Sequence, residues 1–187
     1  MSLAFIALGG NLDCPAARLL KVMGELDNLQ QTRLLRTSSL YRTAPVGYAG
    51  QPDFVNAVAL IDTALPPQTL MAELLACEAR YGRVRDQRNG PRTLDLDLLL
   101  YQDRVLEDSF VTLPHPRMHV RPFVLVPLLE IVPDCVIPRH GEARALLAAC
   151  PDRHDARRIE RTAFDWGLHT LRRMGQGLVA PDNAFSL

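Results

Sequence analysis

The chain has 187 residues, of which 48% are hydrophobic, so it is long and apolar enough to bury the core of one domain. Its 21 basic and 21 acidic residues leave no net charge, which argues against a nucleic-acid partner or an anionic membrane surface. The sequence shows neither a run of the ~20 apolar residues that a membrane-spanning helix needs nor a basic, signal-like start, so we expect a cytoplasmic protein.

The first 62 residues predict three strands and one helix. A run of apolar residues predicts a buried strand over residues 3–8, which ends at a pair of glycines. Pro15 opens a helix, because leucines recur behind it at helical spacing. Two further strands are predicted over residues 34–41 and 54–62, with a loop rich in proline and glycine between them.

The next forty residues predict a second helix and a fourth strand. Pro66 and Pro67 open the helix, and Gly82 provides a C-terminal stop. The strand covers residues 94–101, LDLDLLLY. The resulting order, β-α-β-β-α-β, is typical of a ferredoxin-like α+β fold, in which helices pack on the faces of an antiparallel sheet.

Shorter elements follow the fourth strand. Residues 105–106 and 110–112 predict two short strands joined by a turn. Pro122 opens a helix over residues 122–132, which we expect to kink or break near Pro127. A last helix is predicted over about residues 142–149.

These elements divide the chain into a domain over residues 1–150 and an extension over residues 151–187. The extension carries many arginines, with apolar residues between them at rough helical spacing. We therefore expect a C-terminal helical extension that packs on the domain through its apolar side. A segment that docks on a partner is the alternative, and the role of the extension is open.

The four cysteines do not form a metal-binding pattern. Cys14, Cys77, Cys135 and Cys150 include no C-x-x-C pair, and each lies in or beside an apolar segment. Buried free thiols in a reducing compartment are therefore favoured over disulfides or a zinc site.

Two carboxylates stand at the start of the fourth strand. Asp95 and Asp97 are spaced i and i+2, so a strand presents both on one face, roughly 6–7 Å apart at the backbone. Two anions this close oppose each other's ionisation unless a positive charge lies between them. Mg²⁺ would supply that charge, because it prefers carboxylate, water and phosphate oxygens. An ordinary solvent-facing strand end is the alternative.

Arginines crowd the segment that precedes this strand. Arg83, Arg85, Arg88 and Arg92 fall within ten positions that show no apolar periodicity. A solvated charged loop is one interpretation. The other is a mobile flap whose guanidinium groups stabilise a transferring phosphoryl group. Beside the carboxylate pair, this flap indicates a nucleoside triphosphate, which must be held without a Walker A motif.

Two more clusters have the chemistry of a binding site. His115 lies between two prolines and close to Arg121, from where it could donate to a phosphate oxygen. Asn56, if buried, needs partners for its amide, and the edge of a heterocycle would supply them. Phe54 and Phe123 could stack on the two faces of such a ring. A surface histidine, a loop-capping asparagine and core phenylalanines are the alternatives.

These segments resemble, in order and spacing, the 6-hydroxymethyl-7,8-dihydropterin pyrophosphokinase family of folate biosynthesis. RNGPRTLDLDLLLY resembles the family's signature, and AFIALGGNL resembles its start, where serine is usual in place of Gly10. SSLYRTAPVG, QPDFVNAV, GRVR and LPHPRMHVRPFVLVPLLEI are similar as well. The resemblance covers roughly residues 3–150.

The resemblance implies an ATP-dependent diphosphokinase. Diphosphate would pass from ATP to the hydroxymethyl oxygen of the pterin, and AMP would leave. Two Mg²⁺ ions are implied, with Asp95 and Asp97 as their ligands. Arg83 and Arg92 match residues implicated in the transition state, so the implied catalytic set is Arg83, Arg92, Asp95 and Asp97.

The resemblance also implies which residues bind each substrate. The implied ATP ligands are Glu78, Arg85, Val111, Thr112, His115 and Arg121. The implied pterin ligands are Thr43, Ala44, Pro45, Val46, Phe54, Asn56 and Phe123. A monomer that binds only these small molecules, without nucleic acid or membrane, is expected.

Two other classes stay open at this point. A nucleotidyltransferase would use the same aspartate pair and two metals but would release diphosphate instead of AMP. An RNA-binding module would use the sheet surface and residues 83–92, although the zero net charge and the few aromatic residues on the strands argue against it. The nucleotide product separates the two enzymes.

Overall fold

The computed structural model describes residues 1–45, 50–83, 90–151 and 156–158, and within them the chain forms an antiparallel sheet and four α-helices. The strands are β1 (Ser2–Gly10), β2 (Thr32–Thr37), β3 (Tyr41–Thr43), β4 (Phe54–Thr63), β5 (Asp95–Tyr101), β6 (Leu106–Glu107), β7 (Thr112–Leu113), β8 (Val136–Ile137), β9 (Gly141–Glu142) and β10 (Arg157–Arg158). The helices are α1 (Pro15–Leu26), α2 (Pro67–Arg80), α3 (Pro122–Ile131) and α4 (Ala143–Ala149), and a 3₁₀ turn covers Met118–Val120.

Three of the four helices begin at a proline, as the sequence predicts. Pro15, Pro67 and Pro122 each occupy the first turn, where the missing N–H removes no hydrogen bond. Gly82 follows the end of α2 with φ +70°, which is the left-handed conformation that favours glycine after a helix. The expected stop at this position is therefore confirmed.

The main sheet has β4 and β1 at its centre. Its strand order is β5-β1-β4-β3-β10, and β2 pairs with the other end of β4. β1 is antiparallel to β4 over its whole length, from Ser2 opposite Thr63 to Gly10 opposite Val55. β1 and β5 therefore lie on the same side of β4, although their first residues, Ser2 and Asp95, are 93 positions apart.

Helices cover both faces of this sheet and create two apolar cores. Because successive residues of a strand point to opposite faces, Ile6 and Leu8 enter the core beneath α1 and α2, whereas Phe5 enters the core beneath α3 and α4. On β5, Leu96 and Leu98 belong to the first core. Asp95 and Asp97 must therefore project from the opposite face.

The predicted strand over residues 34–41 is wrong as a single element. β2 ends at Thr37 and β3 begins at Tyr41, because Ser38 replaces a regular ladder contact with its side chain. Its hydroxyl accepts the N–H of Val58 at 2.9 Å, and its own N–H donates to the Val58 carbonyl at 2.9 Å. Such side-chain bonds compete with the ladder and interrupt a strand.

The hairpin of β8 and β9 and the edge strand β10 are not predicted from the sequence. Arg157 and Arg158 pair with β3, so the predicted helix in the extension is wrong at these two positions. The rest of that helix lies outside the described residues, and the boundary at residue 150 stays a prediction. No helix in the described ranges has the length and apolar character needed to span a membrane.

None of the four cysteines forms a disulfide. Cys77, Cys135 and Cys150 are buried as expected, but Cys14 is exposed, because it stands just before α1 in the turn that leads out of the sheet. Burial raises the pKa of the Cys77 thiol and of the Cys135 thiol to about 11. These two thiols are therefore poor nucleophiles at neutral pH.

We expect only one of the four cysteines to react rapidly with a thiol reagent in the folded protein. A maleimide at pH 7.5, which is roughly one unit below the pKa of a free thiol, should label Cys14 rapidly and the three buried cysteines only after unfolding. Peptide mapping by mass spectrometry measures the site and rate, and Cys14→Ser should remove the fast phase. Rapid labelling of Cys77 in the native state would contradict the packing of α2.

Candidate active site

The predicted site residues meet at one end of the main sheet. Asp95 on β5 lies opposite Gly9 on β1, which lies opposite Asn56 on β4, which in turn lies opposite Tyr41 on β3. Residues opposite each other in a sheet project from the same face. A Cβ on Gly9 would lie 3.1 Å from Asn56 Oδ1 and 4.0 Å from Asp95 Cβ. Glycine therefore leaves an open floor between the carboxylate and the amide.

Asp95 is held by two arginines. Its Oδ1 is 2.9 Å from Arg83 Nη2, and its Oδ2 is 2.5 Å from Arg92 Nη1. The three side chains are only 25%, 13% and 19% exposed, respectively, so water screens these ion pairs less than it would on the surface. Guanidinium groups thus supply positive charge beside Asp95, which offsets its repulsion with Asp97.

Asp97 faces a second pair of basic groups. Its Oδ2 is 3.7 Å from His115 Nε2 and 3.6 Å from Arg121 Nη1. These distances are longer than a direct hydrogen bond, so the attraction is electrostatic. The two aspartates therefore lie between four basic side chains that come from three different segments of the chain.

His115 is oriented by its own backbone surroundings. The N–H of Arg117 donates to His115 Nδ1 at 3.2 Å, so in the neutral ring the proton is assigned to Nε2, on the side of Asp97. Burial lowers the pKa of His115; Asp97 opposes this shift, while Arg121 and Arg117 reinforce it. The ring is thus favoured as a neutral donor near neutral pH.

Two aromatic rings adjoin these basic groups. The guanidinium carbon of Arg92 is 5.3 Å from the centre of the Phe54 ring, and that of Arg121 is 5.5 Å from the centre of the Phe123 ring. Both distances fit a cation–π contact. Each ring that the resemblance assigns to the pterin therefore touches an arginine that also faces one of the aspartates.

Asn56 is buried, as expected, and has a partner within the protein. Its Nδ2 donates to Thr43 Oγ1 at 2.8 Å, so the neighbouring strand holds one amide hydrogen. Ala44 and Pro45 directly follow β3. Val46 lies outside the described residues.

The implied ATP ligands are distributed unevenly. Val111 is buried and Thr112 is exposed on β7, whereas Arg85 falls outside the described residues, together with Arg88. Glu78 is only 2% exposed, and its Oε1 accepts the N–H of Leu96 at 2.7 Å. It therefore braces β5 between the two aspartates, and its contact with a nucleotide stays a prediction.

Sequence reasoning missed three residues that shape this site. They are Gly9, which forms the floor; Arg117, which orients His115; and Asn11, which contacts the backbone of Arg92. The G-G-N turn after the first strand was visible, but its significance depends on strand register. Nothing local to that turn indicates which distant residues will lie against it.

The carboxylates fit a divalent cation that is shared with a substrate. Within the described ranges, no group of three or more His, Cys, Asp or Glu side chains could enclose a metal ion. Asp95 and Asp97 offer only oxygen ligands from one face of β5. This donor set suits Mg²⁺, which completes its octahedron with water and phosphate oxygens.

The chemistry of this site is that of a transferase for phosphate groups, because carboxylates suit a divalent cation while arginines suit phosphate oxygens. The chain belongs to the 7,8-dihydro-6-hydroxymethylpterin-pyrophosphokinase (HPPK) family, whose model matches residues 5–133. All of the candidate site residues lie within that range. The hairpin β8–β9, α4 and β10 lie beyond it.

Several relatives carry the name 2-amino-4-hydroxy-6-hydroxymethyldihydropteridine pyrophosphokinase. The relative from Haemophilus influenzae is 48% identical over 138 residues, which are 74% of this chain and 86% of that protein. The relative from Pseudomonas aeruginosa is 45% identical over 147 residues, which are 79% of this chain and 91% of that protein. Folic acid synthesis protein fol1 from Schizosaccharomyces pombe is 36% identical over 136 residues, or 73% of this chain and 19% of that protein.

Solved structures share the fold at low identity. Plasmodium falciparum HPPK-DHPS with SDX-DHP matches 78% of this chain with a TM-score of 0.57 and 15% identity. The same protein with pteroate matches 78% with a TM-score of 0.58 and 13% identity. This chain spans less than half of those chains, 43% and 41%. The likeness confirms the mixed fold with an antiparallel sheet.

The hydrogen bond from the Leu96 N–H to Glu78 leads to a prediction about stability. Glu78→Ala leaves the buried N–H of Leu96 without its acceptor, so we expect the free energy of unfolding to fall by about 1–3 kcal/mol. Glu78→Gln keeps an acceptor and should lose less. Urea denaturation followed by circular dichroism measures both.

Glu73→Ala is the matched control, because Glu73 is exposed on the same helix. A surface change of this kind should stay within about 0.5 kcal/mol of the parent protein. Equal losses for Glu78→Ala and Glu73→Ala would show that the contact with Leu96 contributes nothing.

Proposed function

We propose that this chain transfers diphosphate from ATP to the hydroxymethyl group of 6-hydroxymethyl-7,8-dihydropterin and releases AMP, a step of folate biosynthesis. Family membership and the names of the relatives support this activity. The observation that carries it is the pair of aspartates on one face of β5, each beside two basic side chains. That arrangement suits the transfer of a highly charged group.

The two substrates would meet at the carboxylates. Phe54 and Phe123 would stack on the pterin, and Asn56 would read its edge with the backbone of Thr43, Ala44, Pro45 and Val46. The residues proposed for ATP are Glu78, Arg85, Val111, Thr112, His115 and Arg121. The N–H at His115 Nε2 would donate a hydrogen bond to a phosphate oxygen.

Asp95 and Asp97 would hold two Mg²⁺ ions, which when bound supply Lewis-acid polarisation of the phosphate oxygens. Arg83 and Arg92 neutralise Asp95 in this structure. They would turn to the transferring phosphates once another cation takes over that charge. Arg83 Nε is buried and, among the described residues, has no hydrogen-bond partner.

The proposal extends to features of the whole chain. A ferredoxin-like arrangement is supported by the order β5-β1-β4-β2, in which β2 and β3 are two parts of one interrupted strand. The free thiols support a reducing compartment such as the cytoplasm. A monomer, a domain over residues 1–150 and an extension over residues 151–187, whose strand β10 joins the sheet of the domain, complete the proposal.

A product assay tests the reaction. The protein is incubated with ATP, Mg²⁺ and 6-hydroxymethyl-7,8-dihydropterin, and the nucleotides and diphosphate are separated by chromatography. We expect AMP that depends on the pterin and disappears with EDTA. Release of diphosphate would favour a nucleotidyltransferase. Absence of AMP from folded protein that still binds ATP would overturn the pterin assignment.

Substitution of either aspartate should separate chemistry from folding. We expect Asp95→Ala and Asp97→Ala to lower turnover by at least about a hundredfold, since loss of a metal ligand removes several kcal/mol of stabilisation from the transition state. Their circular dichroism spectra should match that of the parent. Asp103→Asn is the control, because Asp103 is exposed in the turn after β5. Near-normal turnover in an aspartate variant would contradict the proposed metal site.

A further inference from the structure

The turn after β1 contacts two segments of the site through the buried side chain of Asn11. Asn11 is 3% exposed. Its Nδ2 donates to Gln51 Oε1 and to the carbonyl of Pro52, both at 3.0 Å, and its Oδ1 accepts the N–H of Arg92 at 2.8 Å. Both amide hydrogens and the amide oxygen are therefore engaged.

The backbone of the same turn also forms hydrogen bonds with Arg92. The N–H of Asn11 donates to the Arg92 carbonyl at 3.0 Å, and the N–H of Leu12 donates to the same oxygen at 3.3 Å. Asn11 thus binds both the N–H and the carbonyl of one residue that lies 81 positions away in sequence. Two such bonds fix the position from which the guanidinium of Arg92 extends.

Gly10 allows this close approach of two backbones. A Cβ on Gly10 would lie 2.6 Å from the Thr93 carbonyl oxygen and 3.6 Å from that of Arg92. Arg18 Nη1 adds bonds to the carbonyls of Leu12 at 2.7 Å and Thr93 at 3.1 Å. The turn and the Arg92 segment are therefore packed backbone against backbone, with little room for either to shift.

The two segments that Asn11 joins carry different parts of the site. Arg92 contacts Asp95 at 2.5 Å and lies 5.3 Å from the centre of the Phe54 ring. Gln51 and Pro52 lead into Phe54, the first residue of β4. A contact between these two segments fixes the distance between the group that faces phosphate and the ring that faces the pterin.

We propose that Asn11 is a positioning residue, which fixes Arg92 relative to residues 51–54. The guanidinium of Arg92, which would face the phosphates, and the ring of Phe54, which would face the pterin, therefore keep a constant separation. The role rests on the proposed function, since it concerns where Arg92 meets the transferring group. Asn11 itself acts only through the residues that it binds. A displacement of about 1 Å at a reacting group can cost a hundredfold in rate.

A double-mutant cycle tests whether Asn11 acts through the side chain of Arg92. Single-turnover formation of AMP is compared in the parent, Asn11→Ala, Arg92→Ala and the double variant. We expect Asn11→Ala to slow the parent by about 10- to 100-fold but the Arg92→Ala variant by less than about 3-fold. A purely structural role for Asn11 would instead cost the same factor in both backgrounds, and that result would overturn the proposal.

Hydrogen exchange tests the same contact without substrate. The Arg92 amide should be protected in the parent and should exchange at least about tenfold faster in Asn11→Ala. Asn28→Ala is the control, because the side-chain amide of Asn28 donates a similar hydrogen bond, to the Gly24 carbonyl, at an exposed site just after α1. Unchanged exchange at Arg92 would overturn the proposal even if the chain had another activity.

Asn11→Asp serves if Asn11→Ala does not fold. It keeps an acceptor for the Arg92 N–H but replaces the donor to Gln51 and Pro52 with a carboxylate oxygen. We expect exchange to rise at Gly50, Gln51, Asp53 and Phe54, since Pro52 has no N–H, while the Arg92 amide stays protected. Unchanged exchange at residues 50–54 would show that the bonds to Gln51 and Pro52 do not hold that segment.

Discussion

The site depends on the need to neutralise two carboxylates that project from the same face of one strand. Asp95 and Asp97 are separated by a single residue on β5, so their negative charges lie close together wherever that strand is placed. The protein meets this requirement with Arg83 and Arg92 on one aspartate and with His115 and Arg121 near the other. The surrounding segments are arranged so that these basic groups converge.

That convergence requires β5 to be held firmly on its outer side, where no further strand pairs with it in the described sheet. Glu78 from α2 accepts the N–H of Leu96 between the two aspartates, and the N–H of His115 donates to the Leu99 carbonyl. One contact ties the strand to the helix before the arginine-rich segment, and the other ties it to the segment that carries His115 and Arg121. Both flanking groups are thereby positioned relative to the same strand.

Local rules were sufficient to predict the carboxylate pair and the starts of three helices. The i, i+2 spacing of Asp95 and Asp97 places them on one face of any strand, and proline marks the first turn of α1, α2 and α3. Resemblance to a family brought Phe54, Asn56 and His115 into one site, which periodicity alone could not do. The comparisons confirm the family, while the role of each residue remains a proposal.

The rest could not be predicted, because it depends on register and on long-range contacts. Gly9 forms the floor only because β1 places it opposite both Asp95 and Asn56. Asn11 meets Arg92 across 81 positions of sequence, and β10 reaches β3 from beyond the matched family region. The break at Ser38 depends on a side-chain bond to Val58 in the adjacent strand. None of these contacts leaves a periodic pattern in the sequence.

The balance of charge explains why this site suits a nucleoside triphosphate with a divalent cation. Among the described residues that contact the aspartates, three arginines (Arg83, Arg92 and Arg121) and the two aspartates leave one net positive charge, since the lowered pKa of His115 favours its neutral form. One positive charge attracts an anion but cannot neutralise a triphosphate. Cations on the carboxylates would supply the remainder and would release the arginines from Asp95. In the proposed reaction the same guanidinium groups would neutralise the carboxylates in the free protein and the phosphates in the complex.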